Sequence, residues 1–425
     1  GDLSTSANSI ERDSIFLGQV HSDGSPILLP LKTTAAHTWI AGATGAGKTA
    51  MLMFLLEQFI HLGYSIACID LKADTFELWH TLLSKANQQP SQPLPIWHFT
   101  NRNGWATQFC SPFSQRCWKQ LSPGERTNVM LSGMGIGTKR DYGESWYTDA
   151  TYAVLDFVNR KYPDVKSYSE LNARLNYELA HARNDELSKA VKKDGEQAAL
   201  VIRRLSHVEM LNPNSNHPQS ARDAGFDFGT LFDQQSLAYW GLNPLVAPID
   251  SAEISRVVLG TLLATATSMQ LRKRNVLLVI DEFQQMLAPG VLQLALRQAR
   301  SLGISVILLN QTVDDLKSNK NNFVPTVEGN TATQIWLNAS GRDAIDQIQR
   351  LGGKLIDYVY TETTDAQGRR TIAKQEILVD RYDATTIAHA SSQRNAFITR
   401  ISINDGYIQH QGIPFVARAE YHLSH

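Results

Sequence analysis

Eight consecutive residues have the spacing of a phosphate-binding loop, G-x-x-x-x-G-K-[ST]. Glycines let backbone N–H groups turn towards phosphate oxygens, and the positive end of the following helix dipole adds to the attraction. In such a loop Lys48 contacts the β- and γ-phosphates, while the Thr49 hydroxyl coordinates Mg²⁺. An apolar run precedes the loop and an amphipathic helix pattern follows it, which favours nucleotide binding over a chance match. The residues are Gly42, Ala43, Thr44, Gly45, Ala46, Gly47, Lys48 and Thr49.

A second chemical signal is a pair of carboxylates, Asp281 and Glu282, at the end of an apolar run. If that run is a parallel strand, its carboxyl end faces the phosphate site. We therefore expect Asp281 to hold Mg²⁺ through water and Glu282 to polarise the attacking water as the catalytic carboxylate. The alternative is a pair of exposed acids that merely follows a core strand.

Gln311 follows the next apolar run and is a third candidate for the reaction. A polar side chain at the end of the strand beside the acidic strand can sense the γ-phosphate and hold the water. The alternative is an ordinary loop residue. The sequence has no N-K-x-D motif for guanine, so we predict an ATPase that uses ATP and Mg²⁺.

These residues need a sheet that brings them together, and the hydrophobic pattern predicts one. Apolar runs alternate with amphipathic stretches, which is typical of a parallel α/β sheet. Strands are predicted at 15–20, 27–30, 38–41, 64–69, 94–99, 236–241, 276–280, 305–310 and 334–337, with edge strands at 396–402 and 413–419. Helices are predicted at 48–62, 76–86, 251–272, 291–302 and 343–351.

The middle of the chain changes character, because few strand-like runs occur there and helical patterns dominate. Helices are predicted at 144–161, 168–182 and 196–211. We therefore predict an all-helical insertion that separates the two parts of a nucleotide-binding domain. The predicted division is an N-terminal hairpin region at 1–37, the nucleotide-binding domain at 38–121 and 228–425, and the all-helical insertion at 122–227.

Composition limits the kinds of protein that this can be. The chain has 425 residues, 43% of them hydrophobic, and a formal net charge of −1, which is typical of a globular protein without a global basic field. A basic groove or a ring of pore loops is compatible with that charge. The three cysteines are too few for a disulfide framework, which favours a reducing compartment. No apolar stretch has the length of a membrane helix.

Five stretches together resemble the HerA/FtsK superfamily of pumping ATPases, and within it the conjugative type IV coupling proteins of the TraD/TraG kind. The match extends over about residues 15 to 355, and its order of motifs is more specific than the phosphate loop alone. One departure is Ala73, where the family usually has Gly. The stretches are Phe16-Leu17-Gly18 with its hairpin, 37–49, 69–74, 143–150, and Asp281-Glu282-Phe283 with 297–304 continuing to Gln311.

The resemblance implies a RecA-like motor domain that assembles as a hexamer with ATP sites between subunits. It gives Arg300 the role of an arginine finger that acts on a neighbour's site, with Arg297 and Arg342 as further candidates. The alternative for each is a solvated arginine on a helix.

The resemblance further implies a DNA translocase that moves DNA, or a nucleoprotein, through the ring without regard to sequence. Secretion-channel or relaxosome proteins are the expected partners. The implied location is the cytoplasm, at the inner face of the membrane, with membrane contact only through partners or an anchor that precedes this sequence. Two alternatives stay open: an ATPase that recruits or energises secretion of protein substrates, and a nucleotide-regulated adaptor.

Overall fold

One eleven-stranded sheet and a separate two-stranded hairpin organise the described part of the chain in the computed structural model. The structure describes residues 13–419 except 35, 74–76, 89–92, 103, 136–143, 213–224, 246, 289–290, 319–320, 340, 394 and 403–411. The strands are β1 (Ser14–Val20), β2 (Pro26–Pro30), β3 (Thr38–Gly42), β4 (Ser65–Asp70), β5 (Ile96–Thr100), β6 (Leu237–Gly241), β7 (Val276–Asp281), β8 (Ile304–Asn310), β9 (Thr333–Leu337), β10 (Lys354–Thr364), β11 (Arg370–Asp380), β12 (Ala396–Ile401) and β13 (Phe415–Arg418).

The large sheet has the strand order β2-β1-β13-β12-β9-β3-β8-β7-β4-β6-β5. Strands from β9 to β5 pair in parallel, whereas β1, β2, β12 and β13 pair with their neighbours in antiparallel fashion. The predicted, mainly parallel sheet is therefore confirmed. Because β3, β8, β7 and β4 are adjacent and parallel, their carboxyl ends meet at one edge of the sheet.

Helices connect the strands and cover both faces of the sheet. Their bounds are α1 (Leu31–Thr34), α2 (Lys48–His61), α3 (Glu77–Asn87), α4 (Pro123–Gly133), α5 (Glu144–Lys161), α6 (Tyr168–His181), α7 (Lys189–Leu205), α8 (Thr230–Asp233), α9 (Pro248–Ser268), α10 (Val291–Ser301), α11 (Val324–Asn330), α12 (Arg342–Gly352) and α13 (Ala384–Ser392). Among the described residues, no helix combines the length and the apolar character that crossing a membrane requires.

The sheet separates two hydrophobic cores. Apolar side chains of α2 and α3 pack on one face, and those of α9 and α10 pack on the other. Neighbouring residues of β3 show the alternation, since Trp39 joins one core and Ile40 joins the other. All six residues of β4 are buried, as expected for a parallel strand covered on both faces.

The segment predicted to be helical contains α4, α5, α6 and α7, followed by a short 3₁₀ helix at Glu209–Leu211. The helix predicted at 196–211 instead begins at Lys189, where the Ser188 hydroxyl accepts a hydrogen bond from the Val191 N–H, and it ends at Leu205. Its polar first turns carry no apolar periodicity, so the pattern could not locate that start.

Two of these helices, α4 and α7, pack directly on α9. Gly133 of α4 lies against Val257 so closely that a Cβ atom there would be 2.7 Å from the Val257 Cγ2 atom. Arg204 of α7 pairs with the buried carboxylate of Glu253. The helical segment thus shares a core with the sheet. Of the residues that carry the family resemblance, Asp74, Gly143 and the side chains at 144–148 lie outside the described part, as do residues 1–12 of the predicted hairpin region.

The prediction of C-terminal edge strands is wrong. β12 lies between β9 and β13, and β13 pairs with β1, so both are interior strands, while β2 and β5 form the outer edges. The physical reason is that β1 and β2 complete the sheet beyond β13, a long-range pairing that no local pattern reports.

The hairpin of β10 and β11, which pair over their full length, is not among the predicted strands. No residue of either strand is buried, and large apolar side chains such as Ile356, Tyr360 and Leu378 are exposed. At its base the Arg381 N–H donates to the Gly353 carbonyl at 3.0 Å. The hairpin is therefore a projection that leaves the core at one point.

We expect that replacing residues 354–380 by two glycines leaves the fold intact, because the removed residues contribute no buried surface to the core. Thermal unfolding should change by less than about 2 °C. As a control, Ile398→Ala in β12 deletes buried methyl groups and should cost about 2–5 kcal/mol, which corresponds to a clearly lower Tm. A deletion variant that melts as low as Ile398→Ala would contradict this account.

Candidate active site

The predicted phosphate loop connects β3 to α2. Gly45 and Gly47 have φ angles of +79° and +92°, which glycine adopts without strain. Gly42 approaches β9 so closely that a Cβ atom would lie 2.8 Å from the Leu337 carbonyl oxygen. Gly47 caps α2 without a side-chain hydrogen bond, so no cap side chain competes for the N–H groups of the first turn. This loop has the geometry of an anion site.

Lys48 opens α2 and points back into the loop, where its ammonium donates to the Gly42 carbonyl oxygen. Burial lowers the pKa of Lys48, while the nearby carboxylates of Glu282 and Asp281 oppose that shift. The amine therefore lies beside the glycine loop and both acidic residues. Thr49 follows in the same helical turn.

Asp281 ends β7 directly opposite Asp70, which ends β4. Burial raises the pKa of Asp281 to about 7, and the charges of Asp70 and Glu282 act in the same direction, against that of Lys48. A buried carboxyl group among other carboxylates favours a proton or a cation beside it. The donor set of Asp281 and the Thr49 hydroxyl fits Mg²⁺, which prefers oxygen ligands.

Glu282 follows β7 in a left-handed conformation with φ +54°, and only 3% of its surface is exposed. Two amides satisfy its oxygens: Gln311 Nε2 donates to Oε1 at 3.1 Å, and Gln284 Nε2 donates to Oε2 at 2.6 Å. The Glu282 carboxylate is therefore held in place from two sides.

Gln311 connects the acidic strand to the phosphate loop. The Thr44 hydroxyl donates to Gln311 Oε1 at 3.3 Å, and Gln311 in turn donates to Glu282. This hydrogen-bond chain brings together residues of the loop after β3, the end of β8 and the end of β7. Sequence reasoning named all of them except Gln284, whose approach depends on the left-handed turn at Glu282.

The turn after β4 is organised by Asp70. Its Oδ1 accepts hydrogen bonds from the Lys72 and Ala73 N–H groups, at 3.0 and 2.8 Å, and its Oδ2 accepts one from the Tyr239 hydroxyl at 2.7 Å. Ala73 has φ +35°, a conformation that favours glycine. The departure from the family's glycine thus falls where the backbone is least suited to a side chain.

The structure does not bring Arg300 to the phosphate loop of its own chain. Arg300 lies in the last turn of α10, just before β8, and its charge acts on His37 at the start of β3. The phosphate loop begins at the other end of β3, about 16 Å from His37 along the strand at about 3.3 Å per residue. Arg297 shares the exposed surface of α10, and Arg342 begins α12 with 92% of its side chain exposed.

The raised pKa of Asp281 predicts a pH dependence of stability in the absence of nucleotide and Mg²⁺. The unfolded chain loses this proton near pH 3.8, whereas the folded chain holds it to about 7, so the free energy of unfolding falls as pH rises between these values. Asp281→Asn removes this pH-dependent decrease in the free energy of unfolding. We expect its Tm at pH 8 to exceed the unaltered chain's by at least about 2 °C.

The comparison is a set of thermal melts at pH 5, 6, 7 and 8 in EDTA. Asp357→Asn, on the exposed face of β10, serves as the charge-matched control and should follow the unaltered chain. Identical pH profiles for Asp281→Asn and the unaltered chain would disprove the assignment of this titration to Asp281.

Two family models match separate parts of the chain. Residues 17–81 match the helicase HerA-like C-terminal domain, a range that contains the phosphate loop, α2 and β4. Residues 275–391 match the family described as the TraM recognition site of TraD and TraG, which contains β7, α10, β8 and β9. A comparison with curated proteins finds no match.

Solved structures of low sequence identity share the fold. The bacterial conjugative coupling protein TrwBΔN70, unbound, superposes with a TM-score of 0.63 at 16% identity, covering 97% of this chain and 92% of that one. TrwB in complex with ADP and Mg²⁺ gives 0.61 at 14% identity, covering 98% and 91%. VirB4 of Thermoanaerobacter pseudethanolicus gives 0.55 at 14% identity, covering 96% of each chain.

These likenesses confirm the predicted fold class, a RecA-like phosphate-loop motor fold with a mainly parallel sheet. The two family models fall on the motifs that carried the sequence resemblance. The predicted resemblance to the HerA/FtsK superfamily, and within it to coupling proteins of the TraD/TraG kind, is therefore confirmed for this chain.

Proposed function

We propose that this chain hydrolyses ATP at the loop between β3 and α2. The observation that carries the proposal is the hydrogen-bond chain from Thr44 through Gln311 to Glu282, because it joins a phosphate loop to a buried carboxylate. TrwB, which shares the fold, binds ADP with Mg²⁺ and a non-hydrolysable ATP analogue. The proposed nucleotide-binding residues are those of the loop, 42–49, together with Asp281.

Each proposed role follows from the chemistry of its residue. Lys48 places a positive charge on the β- and γ-phosphates, and the loop N–H groups orient them. Glu282 accepts the proton of the attacking water, and Gln311 holds that water. Bound through Thr49 and Asp281, Mg²⁺ would neutralise charge on the phosphates.

For hydrolysis, Glu282 must accept a hydrogen bond from the attacking water. Each of its oxygens accepts one amide hydrogen bond and keeps a further lone pair, which is available to that water. Gln311 is the better placed of the two amides to orient the water, because it also contacts Thr44 of the loop that receives the phosphates.

We further propose a ring of six copies with ATP between neighbours. The position of Arg300 supports this, because it is a full strand length from the loop of its own chain and exposed on α10. A neighbour's Arg300 could then stabilise the charge that develops during phosphoryl transfer. Arg297 and Arg342 are the alternative fingers.

The proposed work of the ring is to move DNA, with secretion-channel or relaxosome proteins as partners at the cytoplasmic face of the inner membrane. The support is the likeness to TrwB, a bacterial conjugative coupling protein, and the match to the TraD and TraG family. We propose that the helical segment at 122–227 forms a unit that contributes recognition more than turnover.

Exchanging Glu282 for Gln should leave binding of ATP with Mg²⁺ intact and slow hydrolysis by a factor of about 10² to 10⁴, since an amide cannot accept the water's proton. Lys48→Ala should lose nucleotide binding or turnover, because the phosphates lose a point charge. Glu77→Gln on the exposed face of α3 is the matched control. Near-normal hydrolysis by Glu282→Gln would show that Glu282 is not the base.

Stimulation of turnover by DNA should not depend on base sequence, because a pump grips the phosphate backbone. With a net charge of −1, the grip must come from a few local basic groups. We expect stimulation by unrelated sequences at about 50 mM salt and a steep fall by about 200 mM. A confirmed hexamer without DNA binding or stimulation at low salt would favour the protein-recruiting ATPase instead.

A further inference from the structure

His37 is a buried residue that the proposed reaction does not use. It immediately precedes β3, only 2% of its surface is exposed, and its backbone has φ +67°. A residue other than glycine adopts that conformation at a cost of the order of 1 kcal/mol, so contacts with the surrounding structure must stabilise it at His37.

Two hydrogen bonds fix the imidazole. One ring nitrogen, Nε2, lies 2.7 Å from the carbonyl oxygen of Leu296 in α10, and the other, Nδ1, lies 3.2 Å from the N–H nitrogen of Val306 in β8. A carbonyl only accepts and an amide N–H only donates. The ring is therefore the neutral tautomer with its proton on Nε2.

The His37 backbone adds a third connection, because its carbonyl accepts a hydrogen bond from the Thr333 N–H at 3.3 Å, where β9 begins. A single residue thus joins the start of three strands to one helix. At their other ends, β3 leads to the phosphate loop and β8 leads to Gln311.

The helix that His37 holds is the one with the exposed arginines. Leu296 is buried and lies one turn before Arg300, while Arg297 is its next neighbour. A hydrogen bond to the Leu296 carbonyl therefore sets the position of the last turn of α10 relative to β8 and β3.

We propose that His37 is a positioning residue, which holds the last turn of α10 so that Arg300 reaches the ATP site of a neighbouring copy. This inference rests on the proposed ring. His37 does not contact the nucleotide in the proposed ring, because the phosphate loop lies beyond the far end of β3.

The electrostatics agree with the tautomer that the geometry assigns. Burial lowers the pKa of His37, and the charge of Arg300 lowers it further, against the effect of the bond to Leu296. The imidazole stays neutral at neutral pH, as its acceptor role towards Val306 requires.

Two substitutions separate the two bonds. His37→Gln places an amide nitrogen where Nε2 lies and retains donation to Leu296, whereas His37→Asn places an oxygen where Nδ1 lies and retains only the bond from Val306. Each variant loses one buried bond, which makes them controls for each other. Asparagine adopts positive φ more easily than glutamine, so stability alone favours His37→Asn.

We expect the opposite order in turnover. His37→Asn should lower kcat about tenfold with unchanged ATP affinity, whereas His37→Gln should retain most of the activity. When His37→Asn is mixed with Glu282→Gln, kcat per intact site should recover, because the second variant supplies an intact α10 to the first variant's site. Thermal melts and nucleotide binding are recorded for every variant.

Arg300→Ala, assayed alone and in the same mixture, separates the two proposals. If it loses turnover and is rescued while His37→Asn is not, in oligomers shown to contain both variants, the positioning role is overturned and the ring stands. If Arg300→Ala turns over normally, Arg300 is not the finger and the positioning role of His37 is overturned, while the ring retains Arg297 and Arg342 as candidate fingers. Equal loss in His37→Asn and His37→Gln, or weaker ATP binding by His37→Asn, would also overturn the positioning role.

Discussion

A buried carboxylate has to be paired, and the way in which Glu282 is paired constrains the whole edge of the sheet that carries the candidate site. Its oxygens accept hydrogen bonds from the amides of Gln311 and Gln284. The first requires β7 and β8 to be adjacent, parallel and in register; the second requires the left-handed turn at Glu282 itself. Without these partners, the desolvated charge would cost several kcal/mol. Strand order, register and one unusual φ angle therefore serve the same side chain.

Much of the candidate site could be predicted because its signals are local. The phosphate loop is contiguous, and the apolar runs before Asp281 and Gln311 identify buried strands without reference to the rest of the chain. What escaped prediction depends on an unusual backbone conformation or on distant pairing. Gln284 approaches through a backbone conformation, and Tyr239 reaches Asp70 from β6. The interior position of β12 and β13 follows from their pairing with β9 and β1, which no hydrophobic pattern encodes.

The exposed hairpin of β10 and β11 escaped prediction for a different reason. Ile356, Tyr358 and Tyr360 alternate with other residues as strand residues do, and Gly368 has φ +78° in the turn between β10 and β11. These signals are present in the sequence, but a hydrophobic pattern predicts the strands that a core buries. A hairpin whose alternating side chains all remain exposed is not distinguished by such a criterion.

The pairing of β1 with β13 also determines when the sheet can be completed. Its register places Gln19 opposite Arg418, so the hairpin of β1 and β2 has no partner in the rest of the sheet until β13 has been synthesised. The parallel strands that carry the phosphate loop and Glu282 need only the chain as far as β9. During synthesis, the edge of the sheet that carries the candidate site can therefore assemble while the hairpin of β1 and β2 is still unpaired with the rest of the sheet. A nascent chain stalled before β13 would expose that hairpin to chaperones or to pairing with other chains.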